Sequence, residues 1–237
     1  MSWTDKLAVK TILQLRDDFN IEEFIETGTF KGINAYLYSL YFKRVFTCEI
    51  DPVYYKDVKD NCNSNVVPFN LSSPDFLKVY KRLRKLSKSK SNIPLFYLDA
   101  HFYDPSLPKE KRFVVLDELE ALKNLGDCVI VIHDFDCEGL GHITYDGISL
   151  NFNLVKEKLN KINPDFVYYT NTKEYCDIVT ENEVRQGRVP GILPVEDVFN
   201  NLKYVWSSPE KTYRGILYCV PKELDLLKYK LKKLEIR

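Results

Sequence analysis

A short apolar run that ends on an acid and breaks into a glycine turn constrains this chain more than any other stretch. It is Phe24-Ile25-Glu26-Thr27-Gly28-Thr29-Phe30-Lys31-Gly32, and it reads as a strand, a turn and the start of a helix. Seventeen residues after Gly32, a second short strand, Val45-Phe46-Thr47-Cys48, ends on Glu49. The pair describes a nucleotide-type cofactor site at the edge of a doubly wound sheet. Glycine lets the backbone approach a ligand closely, and the second acid can hold the two hydroxyls of a ribose. The spacing E-x-G-x-x-x-G is not the dinucleotide fingerprint G-x-G-x-x-G, which argues against a nicotinamide oxidoreductase.

The rest of the chain repeats the alternation of strand and helix. Residues 4–18 carry Leu7, Ile12, Leu13 and Leu15 among charges, the pattern of an amphipathic helix leading into the sheet. Ile33 to Leu40 continues the first turn as an apolar helix. Pro52 opens another, at a position where its missing N–H costs little. Val66-Val67-Pro68-Phe69 reads as strand 3, followed by Ser72-Ser73 and a helix opened by Pro74. Ile93 to Leu98 reads as strand 4, ending at Asp99, with a helix at about 113–125. Cys128-Val129-Ile130-Val131-Ile132 is a continuous apolar run of the kind a parallel strand covered on both faces requires. Such alternation predicts right-handed βαβ units, hence an α/β, Rossmann-like, mostly parallel sheet with helices on both faces. Phe166 to Tyr169 and Gly215 to Val220 add two strands, for seven in all. The final segment, 222–236, alternates Lys with Leu and reads as a surface helix.

No repeat or linker divides the 237 residues, so one domain is expected. Two irregular segments, 136–148 and 170–213, are long enough to serve a substrate. Lys+Arg and Asp+Glu balance at 34 each, leaving no global field for nucleic acid or an anionic membrane. The basic stretch 78–90 reads as a solvated helix end and loop. The six cysteines show no C-x-x-C pair and no zinc spacing, which fits a reducing compartment. With no secretory h-region and no run able to span a bilayer, a cytoplasmic protein is expected.

Polar residues follow each of the first five strands, at the edge where ligands gather in open α/β sheets. They are Glu26, Glu49, Ser72-Ser73, Asp99-Ala100-His101 and His133-Asp134-Phe135-Asp136. All three histidines, His101, His133 and His142, fall within 99–142. Two chemistries suit this cluster. His101 or Asp99 can act as general base on a hydroxyl, a role worth about 10²–10⁴ in rate. Asp99, His133 and Asp134 can hold a divalent cation, Mg²⁺ or Mn²⁺, that orients a diol and acidifies its oxygen. Asp104, Asp136 and His142 are the weaker candidates of the same edge.

The first turn resembles motif I of the S-adenosylmethionine (SAM)-dependent methyltransferases with a Rossmann-like fold. In that family the turn passes the methionine part of the cofactor, and the acid after strand 2 holds the ribose. The order Phe96-Tyr97-Leu98-Asp99-Ala100-His101, Leu116-Asp117-Glu118-Leu119-Glu120-Ala121-Leu122 and Val129-Ile130-Val131-Ile132-His133-Asp134 extends the resemblance to the macrocin and mycinamicin sugar O-methyltransferases, over about residues 22–135. The resemblance implies SAM as cofactor, held by Glu26, Thr27, Gly28, Thr29, Gly32, Glu49, Ile50, Ser72 and Asp99. It also implies a divalent metal on Asp99 and Asp134, His101 as base, and a sugar or glycan acceptor. This chain departs from the pattern in two places. His133 stands where the family has an acid, and the spacing from Asp99 to His101 is one residue shorter. Aromatic residues Tyr168, Tyr169, Tyr175, Trp206 and Tyr213 are candidates to stack on sugar rings. Catechols, other small metabolites and proteins are the alternative acceptors, a non-catalytic binding module is the alternative class, and an oligomer is compatible with all of these.

Overall fold

The computed structural model describes residues 6–86, 93–101, 106, 112–175 and 214–235. The elements run α1 (Lys6–Phe19), β1 (Glu23–Thr27), α2 (Ile33–Ser39), β2 (Arg44–Cys48), α3 (Pro52–Asn61), β3 (Val66–Phe69), α4 (Ser73–Leu86) and β4 (Leu95–Leu98). Then come α5 (Val115–Leu122), β5 (Val129–Ile132), β6 (Thr144–Tyr145), β7 (Ile148–Ser149), α6 (Phe152–Ile162), β8 (Val167–Thr170), β9 (Leu217–Val220), α7 (Leu226–Tyr229) and β10 (Lys232–Lys233).

The strands assemble in the order β10-β8-β9-β5-β4-β1-β2-β3, with β6 and β7 forming a separate hairpin. β3, β2, β1, β4 and β5 are parallel, whereas β9 runs antiparallel to both β5 and β8. The sheet is therefore α/β and mostly parallel, as expected, but it has eight strands of mixed direction rather than seven. The apolar run of β9 looks the same in either direction, so its sequence gives no sign of the reversal.

Alternate residues of each strand feed two cores. Phe24, Val45, Tyr97, Val129 and Val131 pack with Ile12, Leu15, Leu37 and Tyr38 of α1 and α2. Ile25, Phe96, Leu98, Ile130 and Ile132 pack with Phe76, Leu119 and Leu159 of α4, α5 and α6. This two-sided burial is why β4 and β5 are apolar at every position.

The expected C-terminal helix over 222–236 is corrected. Only α7 is helical, capped by the Asp225 side chain and stopped at Lys230, whose φ is 57°. The chain then forms β10, an edge strand antiparallel to β8. Tyr229 and Leu231, which precede it, alternate with lysines and are buried. No helix among the described residues is long and apolar enough to cross a membrane.

β1 lies between β4 and β2, and the chain leaves it toward β2 on one side, so the carboxyl ends of β1 and β4 border the point where strand order reverses.

Candidate functional site

A cleft of about 950 Å³ opens at this reversal point. Gly28, Phe30, Cys48, Glu49, Ile50, Asp51 and Tyr54 line one end. Asp99, Ala100, His101, His133, Asp134, Ile143 and Arg214 line the other, with Leu71, Ser72, Ser73 and Pro74 contributing from the start of α4.

The turn after β1 is held to the end of β2 by the Gly28 and Thr29 amides, which donate to the Cys48 carbonyl at 3.1 and 2.9 Å. Gly28 has φ 79°, and a Cβ there would stand 2.8 Å from Ala100 Cα and 3.0 Å from the Asp99 carbonyl. Glycine is needed because the turn packs against the backbone that carries Asp99, in addition to whatever it grants a ligand. Phe30, a bulky residue, also sits at positive φ, 49°. Its amide donates to Glu49 Oε2 at 2.7 Å, and the Asp51 amide donates to Glu49 Oε1 at 2.9 Å. The Glu49 carboxylate is thus fixed at the cleft edge with unused lone pairs. The Phe30 and Tyr54 rings meet at a tilt of 56°, their centres 4.6 Å apart.

Glu26, Thr27, Thr29 and Gly32 lie behind this wall. Glu26 is buried and accepts from the Thr47 hydroxyl at 2.8 Å, and Thr29 meets the same hydroxyl. Burial pushes the Glu26 carboxyl up to about 8. Thr27 Oγ1 accepts from the Asp99 amide at 3.2 Å, supporting the loop after β4. Gly32 begins α2 against Val58.

At the other end, Asp99, His101, His133 and Asp134 each bring one donor atom within 4.8 Å of the others. His133 Nδ1 is 2.8 Å from Asp99 Oδ1, and His101 Nε2 is 2.8 Å from Asp134 Oδ2. The second oxygen of Asp134 accepts from Arg214 Nε. Asp134 is itself in the left-handed region, φ 56°, an uncommon conformation for a non-glycine residue, and one that clusters at functional sites. Burial works against charge on all four groups, but their mutual pairing outweighs it. The imidazoles hold Asp99 down to about 2 and Asp134 well below the usual carboxylate range, with Arg214 assisting at Asp134. The carboxylates in turn lift His101 to about 9 and His133 well above an ordinary imidazole. The four groups thus stabilise one another's charged forms.

The donors fit a divalent cation: two carboxylate oxygens and two ring nitrogens converge, and three of the four residues are largely buried. His142 is not part of the group; its Nδ1 lies 3.2 Å from the Leu140 carbonyl and 3.8 Å from Asp136. Asp136 accepts from Ser149 in the hairpin. Of segment 136–148, Ile143 lines the cleft. Tyr168 and Tyr169 do not stack on a ligand. Both are buried, their hydroxyls bonded to Asn160 and to the Leu224 amide, so packing claims them. Tyr175 lies 3.4 Å from Lys10 Nζ and does not line the cleft. Asp104, Trp206 and Tyr213, and most of 170–213, lie outside the described residues.

Several cleft residues carry no signal in the sequence. Arg214 is one arginine among many until the fold sets it against Asp134. Phe30 and Tyr54 were legible only as ordinary aromatics. Glu118 is a fully buried carboxyl on α5 whose oxygens lack a well-formed hydrogen bond. Burial pushes it up to about 7, tempered by the nearby Ser73 and Thr27 hydroxyls.

No protein-family model matches the chain, and no curated protein does. Among solved structures it is similar to an O-methyltransferase from Bacillus cereus in complex with SAH, with 14% identity and a TM-score of 0.49 over 91% of this chain and 81% of that one. It is also similar to a SAM-dependent methyltransferase from Anabaena variabilis ATCC 29413 (14% identity, TM-score 0.41, 91% and 84% covered). A third is the plantazolicin methyltransferase BamL in complex with a triazolic desmethylPZN analog and SAH (13% identity, TM-score 0.46, 91% and 84% covered). Likenesses of this size leave function to the geometry of the site.

Proposed function

We propose that this chain is a SAM-dependent O-methyltransferase whose acceptor is a hydroxyl of a sugar, free or in a glycan. The observation that carries the reading is the single cleft joining Glu49 and Gly28 to the Asp99/His101/Asp134 cluster across the reversal point. Glu49, fixed by two backbone amides, is the residue that would accept from both ribose hydroxyls. Phe30, Ile50 and Tyr54 give the apolar walls an adenine needs, and Ser72 lines the floor next to them. Gly28 lines the cleft at the turn past which the methionine arm would run.

The transfer itself breaks the bond from sulfur to methyl and forms one from methyl to the acceptor oxygen. The positive charge on sulfur is lost, and the hydroxyl gives up its proton. The protein supplies alignment of nucleophile, methyl and leaving sulfur, and a place for that proton. The proton acceptor is drawn from Asp99, His101 and Asp134, which stand at the end of the cleft opposite Glu49. A divalent cation held by Asp99, His133 and Asp134 would lower the pKa of a hydroxyl bound beside it. Arg214 orients Asp134 for either task.

Calorimetric titration of the protein with S-adenosylhomocysteine (SAH), followed by an acceptor panel of sugars, catechols and small phenols, tests the reading. Micromolar binding and transfer to sugar hydroxyls are expected. No binding overturns the cofactor assignment; transfer to phenols alone overturns the sugar.

A further inference from the structure

The donor atoms of the cluster alternate in kind around a closed ring. His101 Nε2 lies 2.8 Å from Asp134 Oδ2 and 3.3 Å from Asp99 Oδ1. His133 Nδ1 lies 2.8 Å from Asp99 Oδ1 and 3.7 Å from Asp134 Oδ2. Donors about 2.1 Å from one ion stand about 3.0 Å apart at a right angle and about 3.4 Å apart at the tetrahedral angle. The four sides of the ring bracket those spacings.

We infer that His101 is a fourth donor of this cation site, and that the set of two imidazoles and two carboxylates takes a borderline transition ion, of the Mn²⁺, Fe²⁺, Co²⁺ or Zn²⁺ class, in preference to Mg²⁺. The inference rests on the cation part of the proposed function and goes beyond it by assigning His101 and the class of ion. Carboxylate oxygens do not discriminate among these ions. Mg²⁺ takes oxygen ligands and dehydrates reluctantly, and each imidazole in a site moves the balance toward the later metals.

Three features hold the ring in shape. Asp99 and His101 are two residues apart just past the end of β4, and each brings a donor atom to the ring. Gly28 packs on the Asp99 carbonyl and Ala100 Cα, fixing that segment from behind. Arg214 occupies Asp134 Oδ1, which leaves Oδ2 directed at the two rings; outer partners of this kind orient a ligating carboxylate. His101 is the most exposed of the four, so the cleft reaches the site from its side.

The test uses the full chain, stripped with a chelator and titrated separately with MnCl₂, MgCl₂ and SAH. One Mn²⁺ per chain is expected, bound at least about 100-fold more tightly than Mg²⁺. His101→Gln and His133→Gln should each weaken Mn²⁺ binding about tenfold or more while SAH affinity stays within about twofold. In the unaltered protein, pulsed electron paramagnetic resonance of bound Mn²⁺ should show coupling to the nitrogens of two imidazoles, a readout independent of whether either variant folds. Equal affinity for Mg²⁺ and Mn²⁺ overturns the ion class. Coupling to fewer than two imidazoles, or unchanged Mn²⁺ affinity in a folded His101→Gln, overturns the ligand assignment. Binding of neither ion overturns this inference and the cation part of the proposed function, and the SAH titration then shows whether the cofactor reading stands.

Discussion

At the scale of single residues, two positions decide more than their chemistry suggests. Gly28 cannot acquire a Cβ without meeting backbone, at 2.8 Å from Ala100 Cα and 3.0 Å from the Asp99 carbonyl, in a conformation that L residues avoid. Neither contact can rotate away. Gly28→Ala is therefore expected to lose about 2 kcal/mol or more in urea unfolding, and to weaken SAH binding by displacing the loop after β4. Unchanged stability would show that the turn and this loop are not in contact. Glu118 raises a different issue, because a buried carboxyl without a good partner is most easily kept protonated. Its pKa rises from 4.5 unfolded to about 7 folded, so between those values the native state binds the extra proton. Stability contributed by the neutral form is full below about pH 4.5 and is lost as pH rises through about 7, on the order of 3 kcal/mol. Glu26 acts in the same sense up to about pH 8. Glu118→Gln cannot ionise and should flatten the fall in unfolding free energy between pH 5 and 8. A slope equal to that of the unaltered protein would mean Glu118 is charged and solvated in the fold.

At the scale of elements, the N-terminal two thirds were legible because each strand there announces itself by composition and by the polar residue that ends it. β1 with Glu26, β2 with Glu49, β4 with Asp99 and β5 with His133-Asp134 all follow from a local pattern. The contacts of Glu26 do not, because periodicity says that a residue ends a strand and leaves open whether its side chain turns to the cleft or to a helix behind it. Strand direction and pairing in the C-terminal third were equally hidden, since β9 pairs with partners 49 and 89 residues away in sequence, as Tyr169 and Ile130 show. The C-terminal strap is the clearest misreading, and it carries a prediction. Tyr229 is buried against the α1 side of the sheet and donates to Asp18 at 2.7 Å, while Lys228 reaches the same carboxylate at 2.5 Å. Tyr229→Phe keeps the packing and should cost about 1 kcal/mol; Tyr229→Ala should cost about 3 kcal/mol or more, as large-to-small changes in a core do. Equal effects in thermal unfolding would mean that the hydroxyl, and not the ring, fastens the strap.

At the scale of the whole molecule, the sheet divides its cleft between two structural units that meet where Gly28 packs on Ala100 and the Asp99 amide donates to Thr27. One end depends on β2: Glu49 is set by amides of the turn after β1 and of α3, and Asn70 after β3 ties the Glu49 and Ile50 carbonyls at 2.8 and 3.1 Å. The other end depends on β4, β5 and the residue that leads into β9, with Asp134 held between His101 and Arg214. Side chains at the two ends make no direct hydrogen bond with each other among the described residues, so their energetic effects should be nearly additive. Glu49→Gln removes the charge that its two amides and a ribose diol would share, and should weaken SAH binding about 10- to 100-fold, in keeping with about 1.5–3 kcal/mol for hydrogen bonds to a charged group. Asp134→Asn leaves Arg214 without its anion and disturbs the His101 ring. It should abolish most methyl transfer while SAH affinity moves by less than about threefold. The double variant should lose SAH affinity to the same extent as Glu49→Gln alone. A double variant that binds SAH much more weakly than that would show the two ends to be one coupled site, and the meeting of Gly28 with Ala100 would then be the element that couples them.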